Sequence, residues 1–514
     1  MTTFPFNAPV RPGRLRFSGS YDAELFTREI QESGEGVLVY SMQYGGPEGV
    51  DGFVLSAEDS RAVGATMWSR DAGTFLRELA NYGYLEHARR MLKANLELVE
   101  KNEQGYYAVP TYFWPGKKQA GSEVDGTAAM LIGMVDLWYR LEPQDGMRKR
   151  IQEFVFQPAS PLYLFEKQLN EQELIPGSGE FGAGNELDTS VCVHNVVQNQ
   201  LVFLAFRIAA RLARHLGEDT TAQHFERLAT RLEENILRYF VGEDGCWMWC
   251  IASDTKKEVP EIRDAITNVG FGGINGVACM YSDVFGLTAF REWKGAEVCR
   301  KTFFKLHDAP VRKYTFDKYG MWIQFEKDHE GLLTSASYGQ GYAIQTMLLM
   351  EEQALADKAL AYLATATCYK PAFYHLTRRS DFYFYERYYS PEALGVTPIE
   401  EGCGALNVVN VAEPMKVARM VMGLDNVTDT LCLVPRLPEV WTKAVAEDWP
   451  VVTRDGVVRA DITYTVVDGA LNVAISVRDG GVIPEMQISV PDASGQRQLH
   501  CFADVRELSV SFAR

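Results

Sequence analysis

Apolar residues recur at helical spacing through the middle of the chain. Between residues 71 and 101, in DAGTFLRELANYGYLEHARRMLKANLELVEK, the pattern continues for about thirty positions, as expected of amphipathic helices. It returns in GTAAMLIGMVDLWYRL, in VVQNQLVFLAFRIAARLARHLG and TTAQHFERLATRLEENILRYF, which are joined by GED, and in several later stretches. Helix, loop and helix recur at spacings typical of helical hairpin arrays. The pattern therefore predicts a mainly α protein.

The two ends of the chain have a different pattern. The C-terminal stretch VVTRDGVVRADITYTVVDGALNVAISVRDGG alternates apolar and polar residues between turn signals, which predicts antiparallel strands. Short strand-like pieces such as GVLVYSMQY also occur near the N-terminus. We predict an N-terminal segment with short strands (1–60), a helical domain (61–430) and a small β-sandwich-like module (431–514).

Charge and composition narrow the possible partners. Acidic residues exceed basic ones by 68 to 51, for a net charge of −17 in 514 residues, and no Lys/Arg cluster appears. Nucleic acids and anionic membranes both favour clustered basic residues, so neither is expected as a partner. The N-terminus lacks the apolar core of a secretory signal, and no apolar run reaches the roughly 18 residues of a spanning helix. These features predict a cytoplasmic protein.

Cysteine and histidine usage predicts neither a metal nor a cofactor. The nine cysteines have no pairing rhythm, and we interpret Cys246 and Cys250, in DGCWMWC, as packing residues. The eight histidines include no HExxH and no pair at ligand spacing, and there is no Walker loop and no GxSxG. With these motifs absent, the remaining candidate is chemistry carried by carboxylates in loops rich in aromatic residues.

Two such loops stand out. GNELDTSVCVHN follows the Gly-rich PGSGEFGAG and carries Asp188, with Glu180 and Glu186 nearby, and DFYFYERYY carries Glu386 beside Tyr385. Cleavage of a glycosidic bond needs one protonated carboxyl and one carboxylate, and neighbouring aromatic residues both raise the pKa of the acid and stack on sugar rings.

Each candidate also has a structural interpretation. Asp188 would serve as an ordinary helix N-cap, and Glu386 as a surface charge paired with Arg387 or Arg379. Arg70 and Asp71 would form a salt bridge at a helix start. The aromatic residues Trp114, Trp322, Tyr342 and Tyr385 fit either a core or a sugar platform, and Gln340, in YGQGY, is a candidate hydroxyl binder.

Two motifs resemble those of a known group of enzymes. NELDTSV, followed by a long helix and LARHLG, is similar to a loop of the six-hairpin (α/α)6-barrel glycosidases of families 63 and 37. The resemblance implies that Asp188 is the general acid. FYERYYSPEALG resembles their late motif, which implies that Glu386 is the general base. The chain departs from the pattern at Leu187, where those families usually have Trp, and at Val191 and Cys192, where SxR is usual.

A third motif concerns substrate binding. MWSRDAGTFL resembles the W-x-RD segment of family 15 glucoamylases, which implies that Arg70 and Asp71, next to Trp68, hold hydroxyls of a terminal sugar. In a glucoamylase-like register the acid falls on Glu180 instead. The C-terminal β module is similar to the one that closes rhamnosidase-type enzymes.

Together these resemblances imply an (α/α)6 barrel that acts as an exo-acting, inverting α-glycosidase on a small oligosaccharide or glycoside. Inversion requires the two carboxyls to stand about 6.5–9.5 Å apart. Two alternatives stay open. One is a phosphorylase or lyase on the same barrel, with His375, Arg378 and Arg379 supplying a phosphate pocket. The other is a carbohydrate-binding protein without catalysis.

Overall fold

The computed structural model describes residues 12–31, 67–113, 120–177, 193–259, 281–323, 334–335, 337–366, 388–389, 408–492 and 495–513. Helices dominate the middle of the chain: α1 Ser69–Tyr82, α2 Leu85–Leu98, α3 Val124–Arg140, α4 Gly146–Phe156, α5 Pro161–Gln172, α6 Val196–His215, α7 Asp219–Tyr239, α8 Ala296–His307, α9 Pro310–Tyr319, α10 Ser337–Leu349, α11 Gln353–Ala366 and α12 Val408–Met422. Residues 21–31 and 281–285 are helical as well, and Ala289–Glu292 form a 3-10 helix.

Short strands connect the helices, and longer strands follow them. The short ones are β2 Met67–Trp68, β3 Glu100–Lys101, β4 Tyr107–Ala108, β5 Pro110–Phe113, β6 Ala120–Ser122, β7 Val193–Asn195, β8 Cys250–Ala252, β9 Thr334–Ser335 and β10 Tyr388–Tyr389. The strands of the β module are β1 Arg14–Ser18, β11 Leu424–Asp425, β12 Leu431–Leu433, β13 Lys443–Thr453, β14 Gly456–Val467, β15 Ala470–Val477, β16 Ile483–Pro491, β17 Arg497–Val505 and β18 Glu507–Ala513. The predicted order of a helical region followed by a β module is confirmed.

Helical hairpins form where the sequence supplies a stop signal. The long periodic stretch after residue 70 divides at Gly83, whose φ of 85° is left-handed and whose N–H bonds the carbonyl of Ala80. A side chain would be strained there, so glycine ends α1 and α2 turns back. The predicted hairpin of α6 and α7 is also present. Asn195 caps α6 by accepting hydrogen bonds from the backbone N–H groups of Val197 and Gln198.

Alternate helices pack together in the interior. Helix α1 packs on α3, α3 on α6, α10 on α12, and α12 on α1. The α1–α3 contact is especially close, because a Cβ at Gly73 would lie 2.5 Å from the carbonyl carbon of Ala129. Among the described helices, α6 is long and apolar enough to cross a membrane. However, 89% of its most apolar 18-residue stretch is buried inside the protein. Such burial is typical of a core helix.

The β module consists of two sheets. One has the order β1-β13-β14-β15-β18 and the other β11-β12-β16-β17. Neighbouring strands are antiparallel, as predicted, except that β12 pairs in parallel with β16. The hairpin turn between β14 and β15 is Asp468-Gly469, and both residues have positive φ, as the VDG signal predicts. In β14, Ala460, Ile462 and Tyr464 are buried at alternating positions.

The N-terminal segment joins this module. Strand β1 pairs with β13 in antiparallel register from Arg14↔Glu447 to Ser18↔Lys443. The four-stranded sheet begins at Leu424, seven residues before the predicted start of the module at residue 431. The sequence pattern did not predict the β1 pairing, because a five-residue strand gives no signal of its distant partner.

Candidate functional site

The helices of the interior share one orientation relative to the β module. Their C-terminal ends face it: the ring of Tyr82, at the end of α1, lies 4.9 Å from the ring of Trp449, and Arg436 donates to the carbonyl of Leu348, at the end of α10. The N-terminal ends therefore lie on the far side. We call these ends, formed by the starts of α1, α3, α6 and α10, the open end.

Short sheets line the open end. Strand β2 runs directly into α1, and it pairs with β5, which pairs with β6 just before α3. Strand β7 runs into α6 and pairs with β8, and β9 precedes α10 and pairs with β10. Each sheet fixes the short described segment that enters an interior helix.

A cluster of charged residues occupies the start of α1 and α3. Nη1 of Arg70 donates to Oδ2 of Asp125 at 3.2 Å, and Nε of Arg70 lies 3.9 Å from Oδ1 of Asp71. The side chains are 12%, 1% and 6% exposed, respectively. Both carboxylates lie at helix N-terminal ends, where the helix dipole stabilises negative charge. The salt bridge considered for Arg70 and Asp71 is thus present, and it extends to Asp125, which sequence reasoning missed. Trp68 precedes this cluster and is partly buried.

Five predicted site residues lie outside the described residues: Asp188, Glu386, Trp114, Glu180 and Tyr385. Their described neighbours in the chain lie at the open end. Strand β7, which enters α6, begins five residues after Asp188. Strand β10, which pairs with β9 before α10, begins two residues after Glu386.

Gln340 has a structural role in this structure. Its side chain is fully buried, its Oε1 accepts the N–H of Trp322 at 2.8 Å, and its Nε2 donates to the carbonyls of Gly320 at 2.9 Å and Ala359 at 3.0 Å. These bonds hold the 320–322 segment against α11. Because both amide N–H groups and the oxygen are used internally, we do not include Gln340 among the proposed sugar-binding residues.

Two aromatic candidates belong to the core. Trp322 is 1% exposed and stacks on His307, with ring centroids 5.2 Å apart and nearly parallel planes. Tyr342 is 4% exposed and meets Tyr338 edge to face. Cys246 and Cys250 are buried free thiols, as the packing interpretation predicted. For the residues Trp322 and Tyr342 the structure thus favours the core interpretation that the sequence left open.

A buried histidine anchors β7 at the open end. Nδ1 of His194 lies 3.0 Å from the carbonyl oxygen of Ile175, and its Nε2 lies 3.1 Å from Nζ of Lys256. Burial, with a smaller contribution from Lys256, lowers the pKa of His194 to about 4 against the opposing effect of the Ile175 bond. The ring is therefore neutral at pH 7, with Nδ1 donating and Nε2 accepting. A lone histidine in an apolar stretch was the only sequence signal.

Deeper between the helices lies a network of buried charges, which we call the interior ion network. Arg419 binds Glu78 through two hydrogen bonds, Nε–Oε2 at 3.1 Å and Nη2–Oε1 at 2.8 Å. Lys416 donates to Asp283 at 2.6 Å, and Arg77 pairs with the same carboxylate. Burial alone would raise the pKa of Glu78 and of Asp283, but the surrounding cations lower both. Both carboxylates are ionised at neutral pH.

One further carboxyl group next to this network, that of Glu413, has its pKa shifted in the opposite direction. Burial raises the pKa of Glu413 in spite of Lys416 and Arg77, and its Oε2 accepts a hydrogen bond from Nε2 of Gln345 at 2.6 Å. The described residues contain no group of three or more His, Cys, Asp or Glu side chains arranged to hold a metal ion.

Comparison with known proteins shows which solved structures share this fold. No protein-family model matches the chain, and no curated protein matches it. Solved structures do match. An α-L-rhamnosidase from Dictyoglumus thermophilum superposes with a TM-score of 0.58 at 10% identity, over 98% of this chain and 50% of that one. For the α-L-rhamnosidase from Aspergillus terreus the TM-score is 0.57 at 12% identity, over 97% and 50%. A glucoamylase from Saccharomycopsis fibuligera gives 0.51 at 11% identity, over 81% and 98%.

These matches confirm the predicted resemblance at the level of the fold. The chain has the fold of the six-hairpin (α/α)-barrel glycosidases. It spans about half the length of the two rhamnosidases that it matches. At such low identity the likeness concerns the fold, and the activity has to be argued from the site.

Proposed function

We propose that this protein is a glycoside hydrolase that removes a terminal sugar from a small oligosaccharide or glycoside with inversion. The observation that carries the proposal is the position of β7 and β10. These strands follow Asp188 and Glu386 closely in the chain, and both lie at the open end with the Arg70–Asp71–Asp125 cluster. The six-hairpin glycosidase fold supports the same reaction class, and we propose that the interior helices close into an (α/α)6 barrel.

In this proposal the two carboxyl groups divide the chemistry. Asp188 gives its proton to the leaving oxygen, and Glu386 takes a proton from the water that attacks the anomeric carbon from the opposite face. A separation of about 6.5–9.5 Å leaves room for that water.

The charged cluster would bind the terminal sugar. Arg70 donates and Asp71 accepts hydrogen bonds with its hydroxyls, while Trp68, Trp114 and Tyr385 offer apolar faces to the ring. Asp125 positions the guanidinium of Arg70 from α3. A pocket that binds one terminal ring in this way favours exo action.

Reducing-sugar release from a panel of aryl glycosides and disaccharides tests the proposal. Wild type is compared with Asp188→Asn and Glu386→Gln, and we expect each variant to lose at least 1,000-fold in kcat on the substrate that wild type cleaves, about 4 kcal/mol of transition-state stabilisation. The anomeric configuration of the first product, followed by NMR, should be inverted.

Asp468→Asn and Glu439→Gln serve as matched controls. Both residues are exposed and lie in the β module, so these variants should keep wild-type rates. Full activity in Asp188→Asn would contradict the assignment of the acid, and Glu180→Gln would be tested next. Turnover that requires inorganic phosphate would favour the phosphorylase, and calorimetric sugar binding without turnover in wild type would favour the binding protein.

A further inference from the structure

A cavity of about 460 Å³ lies between the helical region and the β module. One wall comes from the C-terminal ends of α3 and α6 with the start of α4. The other comes from residues 428–429 and the β13–β14 turn, residues 452–457. Since α3 begins beside Arg70 and rises 1.5 Å per residue, its 17 residues place this cavity about 25 Å from the open end. The cavity is therefore separate from the proposed active site.

The helical wall presents the guanidinium group of Arg211. Its Nη1 donates to the carbonyl of Val284 at 2.9 Å, and Nη2 lies 3.7 Å from Oδ1 of Asp136. The Arg211 side chain is 18% exposed and lines the cavity, so its positive charge is available to an anionic group there.

A second guanidinium, that of Arg148, lies in the same wall. It stacks 3.6 Å above the ring of Trp138 and makes one long hydrogen bond, from Nη1 to the carbonyl of Leu141 at 3.4 Å. Stacking on an aromatic ring fixes the plane of an arginine and leaves its edge to bind anions. His215 completes this wall, edge-on to Trp138. Burial and Arg148 lower the pKa of His215, so it adds no fixed positive charge at pH 7.

Carboxylates stand on the rim of the cavity. Glu142 and Asp429 are exposed and line it, and neither forms an ion pair with a described residue. Carboxylates accept hydrogen bonds from hydroxyl groups. The cavity thus combines a basic wall, which suits an anionic group, with rim acceptors, which suit hydroxyls. A volume of this size is within the range of small-molecule sites.

We propose that this cavity binds an anionic monosaccharide, either a phosphate ester or a uronic acid. The anionic group lies against Arg211 and Arg148, and the sugar hydroxyls donate to Asp429 and Glu142. A ligand held in this way contacts both the helical region and the β module, so binding stabilises the contact between them.

Calorimetric titration of the full chain tests this proposal. The probes are glucose 6-phosphate, glucuronate, inorganic phosphate and glucose. We expect glucose 6-phosphate or glucuronate to bind and to raise the unfolding temperature, and whichever binds identifies the anionic group. Glucose, which has no charge, should bind at least tenfold more weakly. Failure of both anionic sugars to bind would overturn the proposal.

Variants locate the binding. Arg211→Gln and Arg148→Gln should each weaken it at least tenfold. Arg238→Gln removes an arginine that stacks on Tyr239 in α7, outside the cavity, and should leave the affinity unchanged. Arg148 lies on a different helix from Arg211 and makes one long hydrogen bond, so its variant keeps the test valid if Arg211→Gln does not fold. Binding that both cavity variants leave unchanged would place the ligand outside this cavity and overturn the proposal. Loss of hydrolysis in Asp188→Asn would not affect it.

Discussion

The interiors of the helical region and of the β module are built from different residues. In the helical region Glu78 and Asp283 are buried together with Arg77, Lys416 and Arg419. Among the described residues of β13 to β18, no charged side chain is buried, and the core is made of residues such as Trp449, Ile462 and Tyr464.

The difference follows from how each region closes its core. In a β-strand every second side chain points to the core, and in β13 to β18 none of the buried side chains is charged. Interior helices contact neighbours on most of their surface, so the charged residues on them become buried as well. Enclosed charges are tolerated when every one is paired, as in the interior ion network. We therefore expect the helical region to be sensitive to loss of a charge and the five-stranded sheet of the β module to be insensitive.

The largest expected effect is on the interior ion network. Arg419→Met leaves Glu78 buried without its main partner and should lower the free energy of unfolding by about 3–5 kcal/mol. Urea-induced unfolding measures it. The double variant Glu78→Gln with Arg419→Met should recover part of the loss, because the unpaired charge is gone.

Arg16→Met is the matched control in the β module. Arg16 pairs with Glu447 at 2.7 Å, but the two side chains are 53% and 40% exposed. Exposed pairs contribute little, so the expected loss is under about 1 kcal/mol. Equal losses in Arg16→Met and Arg419→Met would contradict the comparison.

A smaller, pH-dependent effect is expected where the two regions meet. Asp425, in β11, accepts the N–H of Leu287 at 2.6 Å, and burial raises its pKa to about 6 although that bond and nearby arginines oppose the shift. Its folded pKa exceeds the unfolded value of 3.8, so its stabilising contribution is complete below about pH 4 and is lost as the pH rises through 6.

Asp425→Asn tests this shift, because an amide oxygen can still accept the Leu287 bond without ionising. The stability of the variant relative to wild type should increase by about 2–3 kcal/mol between pH 4 and pH 7, from about 1.4 kcal/mol per pKa unit. Urea unfolding at several pH values measures the difference. A difference that stays constant across this range would show that Asp425 does not titrate there.

The smallest expected effect should be the same in both regions. Ile462→Val in β14 and Ile132→Val in α3 each remove one methyl group from a side chain that is 0% and 1% exposed, respectively. Each should lower the free energy of unfolding by about 0.5–1.5 kcal/mol. Similar losses in the two variants would show that the two regions differ in their buried charges and not in their apolar packing. A loss above about 3 kcal/mol in only one variant would show that their apolar packing differs as well.

The sequence by itself determined the local elements. Apolar periodicity located most of the long helices, the GED link located the α6–α7 hairpin, and the VDG signal located the β14–β15 turn, because these features depend on residues that are close in the chain. Of the predicted site residues, Arg70 and Asp71 lie together at the start of α1, since they are neighbours in one motif.

Only the tertiary structure decided which distant residues meet. It paired β1 with β13, brought Asp125 to Arg70, and enclosed Arg419 with Glu78 across 341 residues of sequence. It also gave Gln340 a structural role that its motif did not reveal. A single sequence shows which face of an element is apolar, but the partner of that face depends on how all the elements pack, and that information is not local.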